Sequence, residues 1–183
     1  MLSELKAEKL PLEGAFLLKP GIFQDQRGKF YKFYTEDLML KNGAKPYFPE
    51  EFLTTSGKDV LRGLHYQGGG HPQAKLIRCT RGEVYDVIVD LRKDSPTFGK
   101  WHGVVLSEKN MLTLYVPRGF AHGFVARKDD SALLYKTDAS YFPEHERGII
   151  WNDPDLKIEW GVEKPVLSEK DRKWPRFKDA EHF

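Results

Sequence analysis

Residues 60–67, VLRGLHYQ, place Arg62 and His65 three positions apart in a run that is otherwise apolar and broken by a glycine. An imidazole in such a setting can act as a general base, ligate a metal, or be a structural histidine with its hydrogen bonds satisfied. The other side chains able to do chemistry are His71, His102, His122, Lys75, Tyr135, several arginines and a late Asp171. Jelly-roll metal sites usually draw two ligands from a His-x-His pair on one strand, because alternate side chains share a face. This chain has no His-x-His, so a metal would need His65, His71 and His122 to converge through loops. Cys79 is the single cysteine, which excludes an internal disulfide framework or cysteine zinc cluster and reads as a small buried hydrophobe. Tyr135, taken alone, reads as a strand aromatic with its ring in the core. His145 and His182 fall in charged stretches expected to be exposed and receive no role.

Whatever His65 does, a scaffold must bring partners to it, and the clear apolar periods along this chain are close to two. In GEVYDVIVDL, Tyr85, Val87, Val89 and Leu91 share one face and Asp86 and Asp90 the other, after a turn at Thr80-Arg81-Gly82. Leu112, Leu114 and Val116 alternate with Thr113 and Tyr115 before a Pro-Arg-Gly turn. Residues 14–18, 29–34, 75–80, 101–106 and 132–137 also read as strands. Turn signals at short spacing predict an all-β sandwich or jelly roll. One early helix is predicted, with Thr35 as N-cap, Glu36 and Asp37 in its first turn and Asn42-Gly43 as its stop. Residues 168–183, SEKDRKWPRFKDAEHF, are polar and expected to be partly ordered at best.

The 183 residues, 40% hydrophobic and 13% aromatic, suffice for one domain over 1–183 with a substantial core. With 29 basic against 27 acidic residues the net charge is +2, so no global field points to nucleic acid or a membrane. An anionic ligand must then be held by a local cluster. The N-terminal MLSELKAEKLPLEG is broken by charges, and no run approaches the roughly 20 apolar residues of a membrane span, so a soluble, cytoplasmic protein is expected.

Read together and in order, VLRGLHYQ, KLIRCTRGEVYDVIVDLRKDSPTFGKW, VPRGFAHGF, LLYKTDASYFPEHERGIIWNDPDLKIEW and LSEKDRKWP form a set. Over residues 12–175 it resembles the deoxysugar epimerase family typified by dTDP-4-dehydrorhamnose 3,5-epimerase. The resemblance implies a cupin-type double-stranded β-helix and a homodimer that exchanges N-terminal strands. It also implies no metal or other cofactor, and a nucleotide-linked 4-keto-6-deoxyhexose as substrate, processed in deoxysugar biosynthesis for surface polysaccharide such as O-antigen lipopolysaccharide. Inverting a carbon beside a ketone takes a base on one face, a proton donor on the other, and a cation or hydrogen-bond donor at the enolate oxygen. By resemblance His65 is the base, Asp171 its orienting partner, Tyr135 the opposite proton donor and Lys75 the enolate stabiliser. Arg62, and Arg27 from the neighbouring subunit, would face the diphosphate; His122 and Lys170 would line the sugar pocket. Tyr141 would stack on the nucleobase and Glu146 would join the nucleotide contacts.

Two departures from the family pattern cluster in the base-contacting part. Five residues after Arg27, where thymidine-using members typically carry glutamate, stands Lys32; twelve before Arg62, where they carry Gln-x-Asn, stands Glu50-Glu51-Phe52. A lysine and a glutamate suit the bare N3 and the amino group of cytosine, which raises a CDP-linked substrate as an expectation. A metal-dependent cupin enzyme and a non-catalytic sugar-nucleotide or carbohydrate-binding jelly roll are the alternatives. A regular strand puts residues three apart on opposite faces, so the backbone is expected to bend at Gly63 to bring Arg62 and His65 to one pocket.

Overall fold

The computed structural model describes residues 3–183. The strands are β1 (Lys6–Lys9), β2 (Phe16–Lys19), β3 (Gly21–Asp25), β4 (Gly28–Lys32), β5 (Glu50–Ser56), β6 (Leu61–Gln67) and β7 (Lys75–Arg81). They continue with β8 (Glu83–Asp90), β9 (Trp101–Ser107), β10 (Thr113–Val116), β11 (Phe120–Ala126), β12 (Ser131–Thr137) and β13 (Glu146–Gly148). One sheet has the order β1-β2-β10-β7-β12-β5, a second β13-β6-β11-β8-β9, and β3 and β4 make a hairpin of their own. The two large sheets are antiparallel throughout and stack as the cupin-type jelly roll that the sequence predicts.

Leu17, Ile77, Leu114 and Leu133 from the first sheet meet Val84, Ile88, Phe120 and Phe124 from the second, and this layer is the inner core. Each such aliphatic or aromatic side chain contributes roughly 1.5–3 kcal/mol by leaving water. The outer faces are covered as well. Helix α1 (Glu36–Lys41) and the turn after it bring Met39 and Ala44 onto Phe16, Leu18, Leu76 and Tyr115. Across the molecule, residues 149–183 lay Ile149, Leu156 and Trp160 onto Leu61, Leu64, Val87, Val89 and Val125. Because both faces of both sheets are occupied, the polar side of a strand need not meet water: Asp86 and Asp90 point inward and are fully buried.

The helix forms as its signals predict. Thr35 Oγ1 accepts the Leu38 N–H at 3.4 Å, and the Asn42 N–H returns to the carbonyls of Met39 and Leu40. The tail departs from expectation and is ordered, because Trp174, Phe177 and Phe183 punctuate its charges. The Ile150 N–H donates to Pro175 O at 2.9 Å, the Lys93 N–H to Phe183 O at 2.8 Å, and the Phe183 N–H to Leu91 O at 3.0 Å. The Tyr66 hydroxyl also reaches Glu181 O at 2.7 Å. His145 and His182 are likewise only partly exposed: His145 stacks on His71 with ring centroids 4.1 Å apart, and His182 packs on Phe177 at 4.7 Å. Among the described residues no helix is long and apolar enough to cross a membrane.

Candidate active site

Between the sheets opens a cavity of ≈ 550 Å³ that Arg62, His65, Lys75, His122, Tyr135 and Asp171 all line. How Arg62 and His65 both reach it is written in the β6–β11 register. His65 stands opposite His122 and Arg62 opposite Phe124, so three residues of β6 match two of β11. The extra residue is a bulge, which cancels the face change that an odd offset imposes. Gly63 takes it up at φ +130°, and a Cβ there would fall 2.6 Å from the Gly123 Cα. The expected bend is present, and only glycine fits it.

The chain returns to His65 from far along the sequence. Val166 forms a parallel bridge with Val60, which brings the following residues alongside β6. Ser168 then caps the Ser-x-x-Asp turn, its Oγ accepting the Asp171 N–H at 3.1 Å and donating to Asp171 Oδ2 at 2.8 Å. Asp171 Oδ1 lies 2.5 Å from His65 Nε2. Burial pushes the Asp171 carboxyl up, but hydrogen bonds from His65, Ser168 and the Trp174 indole prevail and hold it below its ordinary value. It is therefore a carboxylate at neutral pH. With Nε2 bound to it, Nδ1 is the ring nitrogen left to take a proton.

Tyr135 faces this pair from the opposite sheet, on β12. Its phenol is held well above 10, first by burial and then by the Asp86 charge. The ring is gripped by Phe52, which stacks at 4.9 Å and 11°, and by the edge of His122 at 5.8 Å. Lys75, at the start of β7, is lowered to about 8 by desolvation, against the pull of Glu146 and Asp138. Behind His122 lies buried Asp86, both of whose oxygens are within 3.0 Å of Nε2. Burial raises the Asp86 carboxyl, and the histidine opposes the rise.

At the mouth, the Tyr141 hydroxyl donates to Glu146 Oε2 at 2.6 Å, and Lys170 pairs with the same oxygen. The Glu146 hydrogen bond is the main reason that Tyr141 rises to about 12. Burial works against the Glu146 carboxylate, but Lys170 and Tyr141 keep it below its usual range. Glu50 also lines the cavity and accepts the Tyr141 N–H at 3.2 and 3.3 Å, whereas Glu51 points to the other sheet face and pairs with Lys136.

Arg27 and Lys32 are not brought to this cavity. Both sit on the separate β3–β4 hairpin, where Arg27 is held by Asp25 at 2.6 Å. His71 packs on Phe142 and His145 outside the cavity, and His102 lies on β9, its imidazole lowered by burial. His65, His71 and His122 therefore do not gather, and among the described residues no group of three or more His, Cys, Asp or Glu could hold a metal. Several cavity neighbours were not singled out in the sequence: Gln67, Gln73, Thr54, Ser168, and Asp86 behind His122. Gln67 is two residues from His65, and Ser168 begins a readable capping pattern, so both carried a signal. Gln67 ties the neighbouring loops by donating to His71 O and Ser140 O and accepting the Phe142 N–H.

A family model described as dTDP-4-dehydrorhamnose 3,5-epimerase matches residues 9–179. A Pseudomonas aeruginosa protein of that name is 46% identical over 181 residues, 98% of this chain and 99% of its own. One from Shigella flexneri is 44% identical over 176 residues, 96% of this chain and 97% of its own. The crystal structure of the Elizabethkingia anophelis enzyme of that name aligns at 44% identity and a TM-score of 0.93, covering 97% of this chain and 98% of that one. Fold and relatives together make this protein a cupin-type isomerase. More narrowly, the chain belongs to the dTDP-4-dehydrorhamnose 3,5-epimerase family.

Proposed function

We propose that the chain, as one epimerase domain, inverts C3 and C5 of a nucleotide-linked 4-keto-6-deoxyhexose. Its setting would be cytoplasmic deoxysugar biosynthesis for surface polysaccharide. One observation carries the reading: a His–carboxylate pair and a phenol face a single cavity from opposite sheets, so a sugar between them has one group on each ring face. His65 Nδ1 removes the proton beside the ketone, and the electron pair moves into the C4 oxygen as an enolate. The Lys75 ammonium stabilises that oxygen, and Asp171 stabilises the imidazolium. The Tyr135 phenol, kept protonated by its surroundings, then gives its proton to the other face of the carbon. Solvent exchange resets His65 and Tyr135. NMR of a dTDP-linked 4-keto-6-deoxyhexose incubated with the protein should show the inverted sugar; an unchanged substrate contradicts the proposal.

The partner in this reading is a second copy. Arg27 is exposed at the hairpin, which also exposes Phe23 and Phe30, and it lies outside its own chain's cavity. A homodimer with exchanged N-terminal strands gives Arg27 a diphosphate to bind in the partner's pocket, next to Arg62. His122 and Lys170 contact the sugar there, while Tyr141, Glu146, Glu50 and Phe52 form the nucleotide end. A CDP carrier is a second reading, supported by Glu50, whose carboxylate keeps acceptor sites beyond those used by Tyr141, and by Lys32, which like Arg27 would reach the nucleotide only across the exchanged dimer. Calorimetry with free nucleotides separates the two: tighter CDP binding supports the second reading, and clear dTDP preference removes it.

A further inference from the structure

Directly across the β13–β6 ladder from His65 stands Gly148. Opposed residues of an antiparallel pair share a face, so a side chain at 148 would lie beside the imidazole. Trp174 occupies that space instead: a Cβ on Gly148 would fall 2.4 Å from two indole carbons and 2.6 Å from Nε1. Gly148 is not at positive φ, so the glycine answers to this close approach and not to a left-handed conformation. From the notch, the indole N–H donates to Asp171 Oδ1 at 3.3 Å, the same oxygen that meets His65 Nε2. The ring stands edge-on to the imidazole with centroids 6.0 Å apart, and Lys170 Nζ lies 5.5 Å above the ring.

We propose that Trp174 is a positioning residue for the His65–Asp171 pair, seated in a notch that only glycine at 148 leaves open. The inference rests on the proton-transfer reading above. A carboxylate held at one oxygen can swing about its Cβ–Cγ bond. Here Ser168 fixes Oδ2 and Trp174 fixes Oδ1, so the acceptor is aimed at Nε2 before substrate arrives. A misaimed carboxylate slows proton removal without weakening substrate binding.

Trp174→Phe keeps a ring in the notch and beneath Lys170 and removes only the donor. The expected result is a fall in kcat of about tenfold, with KM within about twofold because the ring under Lys170 remains. Gly148→Ala, which displaces the ring, should lower kcat similarly, and Trp174→Phe should add little to Asp171→Asn because both act through one contact. With Trp174 in place and no substrate bound, the indole N–H resonance should move between the parent protein and Asp171→Asn. Wild-type kcat in Trp174→Phe, or an indole resonance indifferent to Asp171→Asn, overturns the proposal. An inactive wild-type protein would instead refute the functional reading, and the resonance would still decide the contact.

Discussion

His65 and Asp171 are 106 positions apart, and their 2.5 Å contact is what turns an ordinary imidazole into a candidate base. His65→Ala and Asp171→Asn should each lower epimerisation by roughly 10²–10⁴, the usual share of general acid–base catalysis; steady-state assays of the two variants check this, and near-native rates in either would remove the base assignment. In the proposed mechanism Lys75 supplies the alkaline limb. Desolvation places its ammonium at about 8, and only the charged form can stabilise an enolate. Activity should therefore fall as pH rises through about 8, and Lys75→Met should be slow at every pH. A pH profile flat to 10 would remove Lys75 from that role. At this scale the sequence was most informative through its ordered motifs, since eleven of the thirteen residues expected to act on or bind the substrate line one cavity, Arg27 and Lys32 being the exceptions. Asp86 and Trp174 were not legible as neighbours of the site, because each matters only through a contact that the fold creates.

Strand β6 shows how an element converts spacing into a site. Its bulge at Gly63 puts Arg62 and His65 on one side, and the Gly123 backbone leaves no room for a methyl group at 63. Gly63→Ala should destabilise the fold by about 2 kcal/mol or more through strain and overlap, read as a drop in Tm. A variant as stable as the parent would mean that the bulge can be rebuilt without glycine. The bend was legible because a regular pleat could not satisfy both side chains. Strand β11 was not, since all seven of its residues are buried and no polar alternation marks it. Strands β5 and β1 carry charges that disguise them: Glu51 is paired with Lys136 and Glu8 with Lys19 across neighbouring strands.

Over the whole molecule, the layers that cover the sheets also complete the site. The tail reads as a polar terminus in sequence, yet it delivers Ser168, Lys170 and Asp171 to the cavity, sets Trp174 against Asp171, and then locks onto Leu91 and Tyr66. Its aromatic residues could not be weighed without knowing that the second sheet offers an apolar outer face. The proposed exchanged dimer has its own test at this scale. His65→Ala and Arg27→Ala chains, each impaired alone, should regain about a quarter of wild-type sites when unfolded together and refolded, because each mixed dimer then assembles one intact pocket. No recovery on mixing would mean that Arg27 does not serve a partner. The central claim, a base and an acid on opposite faces, is tested most directly by Tyr135→Phe in D₂O. The expected result is deuterium entering beside the ketone without inversion, since His65 still removes the proton and returns it to its own face. Inversion at the wild-type rate in Tyr135→Phe, or undiminished exchange in His65→Ala, would contradict the account.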